Sequence, residues 1–322
     1  MNKIKLLFVA TGDYGVPILE KLSEDTNFEI IGVITATDKP QGRKLVLTPT
    51  QVKVTALRFG LKVLSPKDKN ELFEVFDELK PDIALVVAYG MIFPEKILNI
   101  PKYRCVNIHG SILPKYRGAS PIHQAILNGD TETGNTWTLM DRKMDAGPII
   151  STSHVAIEPD DRFQELYTKL AQNAADLTPS VILNYIKTGQ SSPQNDKEAT
   201  KCSTIDKTDG LVDFKKQTAR DIYNKFRAYS MWPNVYFKTK NMNIKITQLS
   251  IVDQLSYSNV ASGNFINLNN KKLIITTLDG ALELIEVQPP SKKPMSGISF
   301  LNGYKDELEN WNNFTDHTIM AS

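Results

Sequence analysis

Apolar positions in the first 190 residues fall into two alternating rhythms. Ile4–Ala10 is a short, almost unbroken apolar run, the pattern of a strand buried on both faces. Gly12 and Gly15 mark a turn, and Pro17–Leu22 begins a helical spacing. Phe28–Ala36, Asp82–Ala88 and Arg104–Ile108 repeat the strand pattern, while Val52–Phe59 and Glu71–Leu79 have the helical one. Asn135–Met140 and Ile149–Ile157 supply two further extended segments. This alternation predicts an α/β fold: an open, mostly parallel, Rossmann-like sheet with helices on both faces. A long helix is expected over Asp161–Lys187. Phe163, Leu166, Leu170, Ala174 and Leu177 recur at helical spacing, and Gln164 stands three residues after Asp161 as in a capping box. Pro179 is expected to kink or divide it.

After residue 188 the rhythm changes. A polar stretch with Pro193 and two serines is read as a linker, residues 189–206. One helix follows, Gln217–Arg227, and then short strand-like runs at Val235–Lys238, Asn243–Ile251, Gly263–Asn267, Lys271–Thr276 and Ala281–Val287. Short strands at close spacing predict a small, OB-like β-barrel as the C-terminal domain, residues 207–322, behind a catalytic domain of residues 1–188.

Composition changes this picture in three places. The 322 residues suffice for two cores, and 41% hydrophobic with 23% charged residues is globular usage. The formal net charge is only +2, but residues 201–250 hold ten Lys/Arg against four Asp/Glu. That bias marks Lys215, Lys216, Arg220, Lys225 and Arg227 as a candidate surface for a polyanion. Cys105 and Cys202 are the whole cysteine content, too few for a disulfide framework and without zinc spacing, so a reducing, cytoplasmic setting is expected. Met1–Ala10 is too short an apolar run for a leader and reads better as a buried first strand. No stretch reaches the length of a membrane span, and no cluster has metal-ligand spacing, so neither membrane nor metal is expected.

Ligands of open parallel sheets bind at the carboxyl ends of the strands. One such end is Tyr89-Gly90-Met91-Ile92; another runs from Asn107 through His109 into Ser111-Ile112-Leu113-Pro114 and Arg117-Gly118. In an extended segment Asn107 and His109 share a face. Asp145 adds a carboxylate on a Gly/Pro loop. An amide donor, an imidazole and a carboxylate suit acyl transfer between two amines. That reaction needs a donor for the developing oxyanion and a group that moves protons between two nitrogens, but no nucleophile from the protein. On the residues alone a structural histidine remains the alternative. His123 is read as lying on a helix after the Asn107–Gly118 stretch rather than as catalytic, His154 and His317 have no supporting motif, and Tyr229 with Trp232 is read as packing rather than as a stacking platform for bases.

The run Asn107-Ile108-His109-Gly110-Ser111-Ile112-Leu113-Pro114, with Arg117-Gly118 and Pro121-Ile122, resembles the signature of the folate-dependent formyltransferases, and Asp145-Ala146-Gly147 resembles their second active-site loop. The resemblance implies that Asn107, His109 and Asp145 are catalytic. It implies that Tyr89, Gly90, Met91, Ile92, Ser111, Ile112, Leu113 and Pro114 contact the folate, with 10-formyltetrahydrofolate as formyl donor and no metal. Asp38–Lys44 and Thr48–Lys53 are similar to an inserted loop found in the members that act on initiator methionyl-tRNA. This implies a tRNA contact through Arg43 and Lys44 and a tRNA-binding C-terminal domain, in a protein expected to be monomeric. The first turn departs from the family pattern, with Ala10 and Gly12 where glycine and proline are usual, and Gln51 replaces a common proline. Formylation of a nucleotide-linked amino sugar, hydrolysis of the formyl-folate, and RNA binding without catalysis are the competing readings.

Overall fold

The computed structural model describes residues 3–42, 45–252 and 260–314. The chain divides into two compact units: Met1–Ala125 with Thr131–Glu158 and Glu165–Thr204, and Ile126–Asp130 with Pro159–Gln164 and Ile205–Ser322. The stretch read as a linker therefore belongs, through Thr204, to the first unit.

The first unit is built on a seven-stranded sheet. Its strands are β1 (Ile4–Ala10), β2 (Phe28–Ile34), β3 (Val63–Leu64), β4 (Ile83–Val87), β5 (Cys105–His109), β6 (Thr136–Leu139) and β7 (Ile149–Thr152), in the spatial order β7-β6-β5-β4-β1-β2-β3. β1 pairs in parallel with β2 and β4, β4 with β5, and β2 with β3. β6 and β7 are antiparallel additions. Residues Leu6–Ala10 and Ile83–Val87 are buried throughout, as parallel strands covered on both faces must be. The helices are α1 (Gly15–Glu24), α2 (Gln51–Arg58), α3 (Lys69–Leu79), α4 (Pro121–Leu127) and α5 (Phe163–Thr188).

Capping chemistry sets two of the helix starts. The Thr50 hydroxyl accepts from the Lys53 amide at α2, and the Asp68 carboxylate accepts from the Asn70 and Glu71 amides at α3, which holds its carboxyl below the usual range. Pro179 does not divide α5, which runs unbroken for 26 residues. Beside the proline, Thr178 returns its hydroxyl to the Ala174 carbonyl and accepts from Trp137 Nε1 at 3.1 Å, and Trp137 is fully buried. That anchoring outweighs the one helical hydrogen bond that proline removes.

The second unit carries α6 (Ala219–Ala228), α7 (Gly297–Tyr304) and a sheet of β8 (Val235–Lys238), β9 (Asn243–Val252), β10 (Phe265–Leu268), β11 (Lys272–Thr276), β12 (Ala281–Gln288) and β13 (Trp311–Phe314), ordered β8-β9-β12-β11-β10-β13. Met295–Ser296 pairs with β12 as a seventh, short strand. All its pairings are antiparallel except β10 with β13. Phe214, Phe237, Phe265 and Phe300 pack on one another inside it, with ring centroids 5.4–6.2 Å apart. The C-terminal β domain expected from the sequence is thus an antiparallel β domain.

Candidate active site

Asn107 and His109 lie on β5, two residues apart, so the pleat directs both to one face. Register pairs Asn107 with Val86 on one side and Thr138 on the other. The Tyr89–Ile92 loop therefore leaves the sheet beside the Asn107–His109 end. Asp145 approaches from the loop between β6 and β7. The Asn107 Nδ2 group lies 3.5 Å from Asp145 Oδ1, and His109 Nδ1 lies 3.7 Å from the same oxygen. His109 is 6% exposed and the Asp145 side chain 12%.

The proton positions on His109 follow from its partner. Nε2 is 2.9 Å from the Tyr116 carbonyl oxygen, and a carbonyl only accepts, so Nε2 carries hydrogen. Nδ1, facing Asp145, is then the ring atom that can gain or lose a proton. The Asp145 carboxylate is itself aimed: its Oδ2 accepts from the Gly118 amide at 2.9 Å. Two glycines make this convergence possible. Gly118, at φ +128°, passes so close to the Cys202 carbonyl that any Cβ would collide with it, and Gly147 stands in the same relation to the Leu139 carbonyl.

The folate-binding positions divide by exposure. Tyr89 and Met91 pack on the core cluster around Phe76 and Phe93, and burial pushes the Tyr89 hydroxyl up. Ile92 is 63% exposed, as is Met144 on the Asp145 loop. Gly90 is open, and Ala88, just before the loop, takes a left-handed φ of +46°. Ser111 is fully buried and donates its hydroxyl to the Lys115 carbonyl at 2.6 Å, and Leu113 is 4% exposed, so both side chains hold the loop together. Ile112 and Pro114 are half-buried.

The basic positions divide more sharply. Arg43 and Lys44 lie outside the described residues. Lys215, Lys216 and Arg220 are exposed, with Lys215 near Glu309 and Lys216 near Asp213, both at 3.5 Å. Lys225 and Arg227 are corrections to the sequence reading. Lys225 is half-buried and donates Nζ to the Leu211 carbonyl at 3.0 Å. Arg227 is 5% exposed, donates to the Asp161 carbonyl and to Asn224 Oδ1 at 3.2 and 2.8 Å, and lies over the Tyr223 ring. Burial lowers the pKa of both. Both are held inside the second unit rather than offered to a polyanion. Tyr229 is buried as expected, whereas Trp232 is 52% exposed.

Sequence reasoning assigned no role to Gln194, which bonds directly to the Asp145 loop. Its one local cue is a Pro-Gln pair in a polar stretch, and its partners lie 47 to 77 residues away. Among the described residues, no group of three His/Cys/Asp/Glu is placed to hold a metal, and no helix is long and apolar enough to cross a membrane.

A mostly parallel sheet with Asn, His and Asp gathered at its strand ends, together with a second unit that is an antiparallel β domain, places the chain in the class of two-domain α/β proteins with a candidate ligand site at the carboxyl ends of the strands. Residues 2–182 match the model of the formyl transferase family, and residues 204–305 match that of the formyl transferase C-terminal domain. A methionyl-tRNA formyltransferase from a Sulfurihydrogenibium species is 39% identical over 308 residues, 94% of this chain and 97% of that protein. The methionyl-tRNA formyltransferase of Bacillus subtilis is 38% identical over 305 residues, 93% and 94%. Among solved structures, an N-formyltransferase from Helicobacter canadensis, in complex with folinic acid and dTDP-3-aminofucose, superposes with a TM-score of 0.67 over 89% of this chain and 99% of its own, at 22% identity, a likeness of fold. This chain belongs to the formyl transferase family.

Proposed function

We propose that this chain transfers the formyl group of 10-formyltetrahydrofolate to the α-amino group of initiator methionyl-tRNA, acting as a cytoplasmic monomer. The observation that supports it best is the gathering of Asn107, His109 and Asp145 at one strand end, with contacts of 3.5 and 3.7 Å that leave their polar atoms open to a substrate. The relatives that match along nearly the whole chain, named for methionyl-tRNA, support the choice of acceptor. Exposed apolar surface at Ile92, two residues after the open backbone of Gly90, and at Met144 on the Asp145 loop suits the flat ring of a folate.

The chemistry needs one C–N bond made and one broken. The amine nitrogen bonds to the formyl carbon, and the bond from that carbon to the folate nitrogen breaks. One proton leaves the attacking nitrogen and one reaches the leaving nitrogen. Asn107 donates its amide hydrogen to the formyl oxygen as charge develops there, a role worth about 3–4 kcal/mol for a well-placed donor. His109 carries the proton at Nδ1, and Asp145 stabilises the imidazole when it is charged. Lys215, Lys216 and Arg220 contact tRNA phosphate, which positions the acceptor without reading its bases.

The test is direct: the purified protein is incubated with 10-formyltetrahydrofolate and charged initiator tRNA, and the aminoacyl group is analysed. Formylmethionine is expected. Formate release at the same rate with and without tRNA would replace transfer by hydrolysis. Formylation of a nucleotide-linked amino sugar, with none of methionyl-tRNA, would assign the other acceptor.

A further inference from the structure

We propose that Gln194 is a positioning residue for Asp145: it clamps the Asp145 loop to Arg117, so that the carboxylate reaches Asn107 and His109. The proposal rests on the catalytic reading of Asp145 given above. Gln194 Nε2 donates to the Asp145 carbonyl at 2.9 Å and to the Gly147 carbonyl at 2.8 Å. Its Oε1 accepts from Arg117 Nε at 3.0 Å and Nη2 at 2.8 Å. The amide orientation is fixed by chemistry, because a guanidinium only donates and a carbonyl only accepts. One side chain thus uses both hydrogens and its oxygen to bridge the two loops that meet at the site.

The clamp is needed because of how Asp145 is built. Its φ is +52°, a left-handed conformation that a residue with a Cβ adopts at a cost unless its surroundings enforce it. Its side chain is held by a single short contact, from the Gly118 amide at 2.9 Å. Gln194 fixes the carbonyl of the same residue, while the Gly147 carbonyl two residues on accepts from both Gln194 and the Thr138 hydroxyl, at 2.8 and 2.9 Å. Arg117 is in turn held by Asp196 at 2.8 Å. The stretch around Gln194 is stitched down on both sides: Ser192 exchanges backbone hydrogen bonds with Ile149, and the Thr200 hydroxyl accepts from the Tyr116 amide at 2.8 Å. Cys202 pairs with Gly118 as a short parallel strand. Residues 183–203 fall between the two stretches that match family models.

Gln194→Glu separates positioning from simple support. It keeps an acceptor for Arg117 but has no hydrogen to give the two carbonyls. Turnover, KM for 10-formyltetrahydrofolate and for methionyl-tRNA, and melting temperature are measured for Gln194→Glu, Gln194→Ala, Asp145→Asn and the double variant Asp145→Asn with Gln194→Ala. Gln194→Glu is expected to stay folded, melting a few degrees below the native temperature because two carbonyls lose a donor, and to lose about ten- to a hundredfold in kcat with both KM values little changed, the scale of a misplaced catalytic group. In the Asp145→Asn background, Gln194→Ala should take nothing further from kcat, because the group it positions is already gone. Native kcat in Gln194→Glu, an equal loss from Gln194→Ala in both backgrounds, or a change in KM alone would each overturn the proposal while leaving Asp145 catalytic. Native kcat in Asp145→Asn would instead remove the reading on which it rests. If Gln194→Ala does not fold, the same decision rests on Gln194→Glu.

Discussion

The polar group of Asn107, His109 and Asp145 in the first unit and the polar group at Arg227 in the second are both largely withdrawn from solvent and built to opposite ends. Around Arg227 the contacts are close: Asn224 at 2.8 Å, the Asp161 carbonyl at 3.2 Å, and the Tyr223 ring beneath. Around Asp145 the main-chain carbonyl is held by Gln194 and one carboxylate oxygen by the Gly118 amide, but the side chains facing one another stand 3.5 and 3.7 Å apart. A hydrogen bond at 3.5 Å contributes little, so Asn107 and His109 keep polar capacity that the fold itself does not satisfy. Burial with close contacts to the terminal nitrogens, as at Arg227, stabilises a structure. Burial with capacity left open, on a tightly held scaffold, is what preorganised chemistry requires.

The largest expected effects break the first group. His109→Ala and Asp145→Asn are each expected to lower kcat by about 10²–10⁴-fold, the range of a positioned acid–base group, with melting temperatures close to native. Asn107→Ala is expected to lower kcat by about 10²-fold or more if its amide meets the oxyanion. Steady-state formylation at saturating tRNA checks all three. A melting temperature that fell in step with kcat would make the Asp145 group a structural one like its counterpart.

The converse holds at Arg227. Arg227→Met fills similar space but leaves the Asp161 carbonyl and Asn224 amide oxygen short of a donor, at about 1–3 kcal/mol for each such buried group. Urea unfolding should therefore show a clear loss of stability, while kcat at low temperature and saturating substrates stays near native. Unchanged stability would mean that the guanidinium is not a structural element of the second unit.

The contrast also explains what could be read in advance. β1 and β4 were legible because a doubly covered parallel strand writes a nearly unbroken apolar run into the chain, and β5 through the alternation of Val106 and Ile108 with polar residues. Asn107, His109 and Asp145 were singled out because a specific motif carries them, and the fold brings the three together. Arg227 was misjudged because a count of basic residues cannot see what covers a helix: Arg220 and Arg227, seven residues apart, fall on nearly the same face of α6, but Arg220 near the start of the helix is exposed and its last three residues are all buried. Gln194 was passed over because its bonds join main-chain carbonyls and a guanidinium far away in sequence, and such bonds leave no period in the pattern. The Lys39–Gln41/Val46–Thr48 hairpin was not assigned as strands either, since two three-residue strands give no alternation to detect.

A subtler difference separates His109 from His123. His123 lies half-buried on α4, and burial brings its imidazole down from 6.5 to about 4. Above pH 6.5 it is neutral in the folded and the unfolded chain alike. As pH falls from 6.5 toward 4, the unfolded chain takes up a proton that the folded one does not, so stability decreases across that window. His123→Gln should lessen the loss of stability between pH 6.5 and about 4 and leave kcat at neutral pH near native. Urea midpoints at about pH 7 and about pH 5 measure it, and an unchanged pH dependence would show that His123 is not the group responsible.

The smallest expected effect sets Arg220 against Arg227 on one helix. Arg220 is exposed on α6, where a guanidinium meets phosphate at little cost in desolvation, whereas Arg227 would have to leave three partners to do so. Each phosphate contact releases condensed counterions and steepens the fall of affinity with salt. Removing one should reduce the slope of log affinity against log salt by about 0.7–0.9. Arg220→Ala is therefore expected to lower tRNA affinity a few-fold at low salt and to flatten the salt dependence by roughly one contact. Arg227→Met should leave that slope unaltered, provided binding is measured well below its lowered melting temperature. The two variants remove the same charge from the same helix, so any purely global electrostatic effect is common to both. A shared loss of slope would mean that the second unit acts through its summed field, and that the distinction between surface and buried arginine has no bearing on the tRNA. A loss confined to Arg220→Ala would place the phosphate contact near the exposed start of α6.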